Sequence, residues 1–323
     1  MSRRYRSTVV VLLLVWLGGR ADSAELKLPA DGWASWRVPA VAGAPDWCCF
    51  GDHANKRGVC DLDARHGSYG TDSDDAPADH TLVYARFKAG QLQRVRAYGP
   101  TCKVQTRSAV TELGDVDVDT SARWLATQLA TRATHDSDVL AALATHAGSV
   151  AENELVRIAG HDGMRENRKD ALFWLGQLRG ESGARAIEPF LTGDADAQVR
   201  EHAAFAIAQS QSPRRGELLI RQGQQDRSAK VRSQAWFWLA QVGDAQAETA
   251  IRAALKSEVS REVRHQAVFA LSQLPDERGV KALIALLEDR SLPLEDRKQA
   301  LFWLGQSEDA AAQAYLAQVL AAK

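Results

Sequence analysis

Five segments of this chain repeat one pattern: Ala171-Leu-Phe-Trp-Leu-Gly-Gln177, Ala203-Ala-Phe-Ala-Ile-Ala-Gln209, Ala235-Trp-Phe-Trp-Leu-Ala-Gln241, Ala267-Val-Phe-Ala-Leu-Ser-Gln273 and Ala300-Leu-Phe-Trp-Leu-Gly-Gln306. Their alanines recur at intervals of 32, 32, 32 and 33 residues. A fixed period of this size marks a helical repeat array, in which each unit is too small to bury its own apolar face and gains stability by stacking on its neighbours. Such arrays favour binding over catalysis, which sets the functional expectation.

Helix geometry explains the recurrence. With the repeating Ala as position zero and about 100° per residue, the residue four before, the Ala and the Leu or Ile four after fall within about 80°. They form the predicted buried stripe, and Ala at its centre allows close helix approach. A second helix follows in each unit, clearest as Gly279-Val-Lys-Ala-Leu-Ile-Ala-Leu-Leu287, with counterparts at Ala184–Leu191, Gly216–Gln222, Ala245–Leu255 and Ala310–Leu320. A degenerate unit over Asp138–Ala144 and Glu152–Ala159 brings the expected total to about six.

The openings Val199-Arg200, Val231-Arg232 and Val263-Arg264, each followed by small residues and a Leu, resemble the short HEAT-like repeats first associated with phycobilin lyases. The resemblance covers roughly residues 136–323. It implies an α-solenoid and does not specify an activity. It also implies a role for the arginines three positions before each Ala: Arg168, Arg200, Arg232, Arg264 and Arg297. In HEAT-like arrays that residue bonds to carbonyls or acids of the inter-repeat turns, so these five are expected to be structural. The HEAT-like iron hydroxylases use His-Glu pairs, which this array lacks; the bilin lyases and the HEAT-like DNA glycosylases are intracellular, and the latter basic, so neither fits a near-neutral chain with an export signal.

Phe173, Phe205, Phe237, Phe269 and Phe302 take five of the chain's eight Phe to one position, two after the Ala. That position lies about 200° from the Ala, nearly opposite the buried stripe. Gln177, Gln209, Gln241, Gln273 and Gln306 follow four residues later on the same helical face. Trp174, Trp238 and Trp303 add rings in alternate repeats. Two readings stand. The column is a binding stripe, with Gln offering a donor and an acceptor to a ligand backbone or a carbohydrate; or it is an inter-repeat spine, with the Gln side chains capping turns.

Ahead of the array, residues 25–112 read as a small β-rich domain. Thr81–Lys88 and Leu92–Tyr98 alternate apolar and polar residues about an Ala-Gly-Gln turn, which is a hairpin signal, and Trp33–Val38 is a further strand. All four cysteines, Cys48, Cys49, Cys60 and Cys102, fall here. In an oxidising compartment they read as disulfides, with Cys48 and Cys49 pairing with Cys60 and Cys102 in an order the sequence leaves open. Residues 113–135 are expected to be a charged linker and a capping helix whose cap is Thr120 or Ser121.

Residues 1–24 read as a secretory signal peptide, with Arg3, Arg4 and Arg6 before a short apolar run. A formal net charge of −1 gives no reason to expect nucleic acid. Phosphate loops, nucleophile elbows and metal-binding helix motifs are missing from the sequence, and His202 and His265 do not fall in adjacent repeats. The expected protein is therefore a periplasmic or secreted, non-enzymatic scaffold that binds a protein or peptide of the cell envelope, with no cofactor, no metal, no nucleic acid and no membrane span after signal cleavage. A sensor or regulator of an envelope signalling or proteolysis system is the alternative. An enzyme site around Asp52, His53 and His66 is a more remote one.

Overall fold

The computed structural model describes residues 26–49, 58–64, 69–70, 76–275 and 277–321. The expected signal peptide, along with Asp52, His53 and His66, lies outside them. The described residues form a small β region followed by helices.

The main sheet has the order β6-β5-β1-β8, built from β1 (Gly32–Pro39), β5 (His80–Lys88), β6 (Gln91–Tyr98) and β8 (Val110–Asp115). The β5–β6 hairpin closes through Ala89 and Gly90, both at positive φ, as a tight two-residue turn between twisted strands requires. The parallel pairing of β8 with β1 has no counterpart in the sequence expectation. Two short ladders, β2 (Cys48–Cys49) with β4 (Tyr69–Gly70) and β3 (Cys60–Asp61) with β7 (Val104–Gln105), lie beside it. The bridges are Cys48–Cys102 and Cys49–Cys60.

The alternation of the strands buries both faces of the sheet. Trp33, Tyr84 and Tyr98 pack with Leu62 and the cysteines. Trp36, Val38, Val83, Phe87 and Val95 face the other way, into one core shared with the helices. The first of these is α1 (Val118–Ala130), and its cap is Asp117, whose side chain accepts the Thr120 N–H at 2.8 Å. That corrects the expected cap at Thr120 or Ser121: Ser121 is inside the helix and fully buried. The expected linker is also corrected, since Leu113–Asp115 complete β8.

Six helix pairs follow: α2 (Ser137–Thr145) and α3 (Gly148–His161), α4 (Arg165–Leu178) and α5 (Gly180–Gly193), α6 (Ala197–Gln209) and α7 (Arg215–Gln225), α8 (Ala229–Gln241) and α9 (Ala247–Ser257), α10 (Arg261–Ser272) and α11 (Arg278–Glu288), α12 (Leu294–Gly305) and α13 (Ala310–Ala321). The repeating alanines are all buried, as are Leu175, Ile207, Leu239, Leu271 and Leu304 four residues on. The stripe departs from the wheel at Asn167 and Asp296, which are polar and buried but bonded: Asn167 to Asp162 in the turn before α4, and Asp296 to Arg264 of α10. Gly176 lets α4 and α6 approach, as a Cβ there would lie 2.3 Å from the Ala206 carbonyl.

Helices α4, α6, α8, α10 and α12 pack more closely on one another than do α5, α7, α9 and α11. Two joined rows of unequal spacing must bend toward the tighter one. The repeated Ala-x-Phe helices therefore line the inner side of the curve.

The sheet closes the first end of this array. Val41 N–H donates to the Thr145 carbonyl at 2.8 Å and Ala147 N–H to the Pro39 carbonyl at 2.9 Å. Trp36 Nε1 donates to Ser121 Oγ at 2.8 Å, Ser121 Oγ lies 2.8 Å from His146 Nε2, and His146 Nδ1 lies 2.7 Å from the Ala142 carbonyl. These bonds are all satisfied by a neutral imidazole with its proton on Nδ1, and burial pushes the His146 pKa down to about 4. Arg179 donates to the Ala144 and His146 carbonyls beside it.

Candidate functional site

The arginine column is a set of brackets between turns. Arg200 makes a two-pronged pair with Asp226 at 2.8 and 3.0 Å, with both side chains almost wholly buried, and donates to the Asp194 carbonyl. Arg232 does the same with Glu258 and the Asp226 carbonyl. Arg264 pairs with Asp296 and the Glu258 carbonyl, and Arg168 with Asp194 and the Ala159 carbonyl. Each planar guanidinium ties a helix to successive turns, which its fork geometry suits. Arg297 differs, since its buried Nε has no partner among the described residues.

The phenylalanine column is both of the things the sequence left open. Phe173 stacks on Phe205 with centroids 5.9 Å apart and planes 8° apart, and Phe237 on Phe269 at 6.0 Å and 3°. Yet Phe173, Phe205, Phe237 and Phe269 are all half-exposed, and Phe302 is 56% exposed. The tryptophans join the pairs. Trp238 lies 5.0 Å from Phe205 and 4.9 Å from Phe237, while Trp303 lies 4.9 Å from Phe269 and 5.1 Å from Phe302. Trp174 meets Phe173 at 4.8 Å. The outcome is one continuous ribbon of rings along the inner helices, with a period of two repeats. Ala206 and Ala270, in the intervening units, stand where the tryptophans would otherwise be.

The ribbon extends beyond the repeats. Trp47, from the β region, lies 5.3 Å from Trp174 at 59°. It stands toward Trp174 as Phe205 stands toward Trp238 and Phe269 toward Trp303, both at 46°. Nothing in the repeat pattern pointed to Trp47, which precedes the array by many residues and belongs to another fold.

The glutamines sit at the ends of the inner helices. Gln177, Gln241, Gln273 and Gln306 are exposed and Gln209 is half-exposed. Among them only Gln273 has a side-chain hydrogen bond within the described residues, to the neighbouring Ser272. The side-chain amides of Gln177, Gln209, Gln241 and Gln306 make no hydrogen bond within the described residues and are open to another molecule.

A cleft of about 490 Å³ opens beside the ribbon between α4, α6 and α8, lined by Lys169, Glu201, His202, Phe205, Lys230 and Trp238. Lys230 holds Glu201 at 2.9 Å, and His202 sits edge-on to Phe205 at 5.3 Å. Burial pushes the His202 pKa down, and its Nε2 has no partner among the described residues. His265 is not in this cleft; it accepts a bond at its carbonyl from Gln299. The group offers stacking surfaces and single polar contacts, an arrangement suited to holding a chain. The three mutually close sulfurs of Cys48, Cys60 and Cys102 are in disulfides, which removes them as metal ligands.

Residues 216–295 match the family model for HEAT repeats. The chain carries HEAT-like repeats. No curated protein matches it in sequence. Among solved structures, the Escherichia coli protein YibA is 21% identical with a TM-score of 0.37, over 56% of this chain and 66% of its own. Human deoxyhypusine hydroxylase in complex with glycerol is 17% identical with a TM-score of 0.32, over 62% of this chain and 90% of its own. This chain thus spans just under two thirds of YibA, and at these scores neither likeness extends to function. Among the described residues of the HEAT-like protein, no helix is long and apolar enough to cross a membrane.

Proposed function

We propose that this chain is a non-enzymatic scaffold of a bacterial cell envelope, periplasmic or secreted, whose inner aromatic ribbon holds an extended segment of a partner protein. The observation that carries the reading is the coincidence of a contiguous, partly exposed ribbon with a parallel column of glutamines, of which all but Gln273 keep their amides unbonded within the described residues. Half-exposed rings give up water to apolar side chains, and each amide presents a donor and an acceptor to a peptide unit. Neighbouring inner helices pack about 8–10 Å apart, so a two-repeat period is about 16–20 Å. An extended peptide advances about 3.3 Å per residue, so its anchoring side chains would fall about five or six residues apart. The direct bonding of the β region to α2 supports one continuous surface over separate input and output domains.

A photo-crosslinking residue at Gln241, on the inner face, is compared with one at Thr249, exposed on outer helix α9. The reading expects adducts to one partner from Gln241 and none from Thr249. Equal labelling from both, or labelling from Thr249 alone, contradicts it.

A further inference from the structure

The first notch of the ribbon is built by both parts of the molecule. Trp47 and Trp174, whose rings touch, form its wall, and Ser137, Asp138 and Ala141 of α2 form its floor. Its volume is about 190 Å³. With liquid water at about 30 Å³ per molecule, that is roughly six waters, or the space of one large side chain.

The floor carries a half-committed carboxylate. The side chain of Asp138 is 35% exposed, and its Oδ2 takes the guanidinium of Arg96, itself only 5% exposed. Its Oδ1 has no hydrogen-bond partner among the described residues. Burial pushes the Asp138 pKa up in spite of Arg96, so the charge is under-compensated. The next notch, between Phe205 and Trp238, differs in both respects: one wall is Phe, and its carboxylate Glu201 is already held by Lys230. Two indole faces are the strongest aromatic surfaces for a cation, and the alkyl stem of a basic residue packs on them while its head seeks an anion.

We infer that the Trp47–Trp174 notch takes a lysine or arginine side chain of the bound segment, its stem packed along the paired indoles and its head on Asp138 Oδ1. This rests on the ribbon being the ligand face, and it gives that ligand a fixed end: a basic residue at the β-region end of the groove, with apolar anchors following.

The test uses the full chain and three small probes: Nα-acetyl-lysine amide, Nα-acetyl-arginine amide and the neutral Nα-acetyl-norleucine amide. Indole N–H resonances are followed by NMR during titration. The expected result is saturable shifts of the resonance that disappears in Trp47→Leu, with the basic probes binding about tenfold tighter than norleucine amide. Asp138→Asn should bring them to the norleucine level. Because that variant leaves Arg96 unpaired and can loosen the junction, Trp47→Leu, which keeps the Asp138–Arg96 pair, provides the independent arm. Norleucine amide binding as tightly as the basic probes, shifts that persist in Trp47→Leu, or no saturable shift in the wild type each overturn the inference. The probes are too small to span the ribbon, so they report on the notch alone; failure of the wider reading appears separately, in crosslinking from Gln241.

Discussion

Phe237 and Phe269 lie one repeat apart with their planes within 3° and their centroids 6.0 Å apart, and both rings stay partly exposed. Phe173 and Phe205 repeat the arrangement at 5.9 Å. A ring in this position stiffens the array through its neighbour and leaves an edge for another molecule, so the same side chain serves both stacking and surface. A double-mutant cycle measures the first role. Phe237→Ala and Phe269→Ala should couple by about 0.5–1.5 kcal/mol in urea unfolding, whereas Phe173→Ala and Phe269→Ala, which do not touch, should be additive within about 0.5 kcal/mol.

The arginine brackets are expected to be unequal. Arg200→Met strands Asp226 in a site where its side chain is 1% exposed, and should cost about 3–5 kcal/mol. Arg297→Met removes a side chain whose Nε has no partner among the described residues, and should cost less than about 1 kcal/mol. Urea midpoints of the two variants against wild type check the difference.

The array was readable from the sequence because stacking forces the same residue into the same place every 32 or 33 residues, and Ala203, Ile207 and Arg200 report that directly. The orientation of Phe205 was not readable, because a helical wheel places a residue around one helix and says nothing of how close the next helix comes. Trp47 was missed for a different reason: its contact with Trp174 is a meeting of two folds, made by chain segments with unrelated periodicities. The cap of α1 was misjudged because Asp117, Thr120 and Ser121 are all good caps, and the burial of Ser121 against Trp36 and His146 decided between them. The disulfide order needed the three-dimensional fold, because neither short ladder pairs the bonded cysteines: β2 pairs with β4 and β3 with β7, while the bridges run Cys48–Cys102 and Cys49–Cys60.

The junction between sheet and array should weaken in acid. His146 has a pKa of about 4 in the fold against 6.5 when free, so between those values the unfolded chain binds the extra proton. Stability is then complete above pH 6.5 and falls as the pH drops toward about 4, by up to about 3 kcal/mol from this group. Urea unfolding at pH 7 and pH 4.5, followed by Trp36-sensitive fluorescence, should show the loss. His146→Gln should flatten that part of the pH profile while lowering stability at pH 7.

The two disulfides should be unequal as well. Cys48–Cys102 closes a separation of 54 residues and Cys49–Cys60 one of 11. On chain entropy alone their loss costs about 4 and about 3 kcal/mol respectively. Peptide mapping under non-reducing conditions should recover these two pairings. Reduction should lower the β-region melting transition while leaving most helical circular dichroism signal in place, since the repeats contain no cysteine.

The binding reading is tested most directly by taking away the amides that folding does not use. Gln177, Gln209 and Gln241 are all changed to Ala, and the partner identified by crosslinking from Gln241 is titrated against this variant and the wild type. The account expects an unchanged melting temperature and an affinity lower by about tenfold or more, as loss of several ligand hydrogen bonds requires. A variant that melts as the wild type does and binds the partner just as tightly would contradict it.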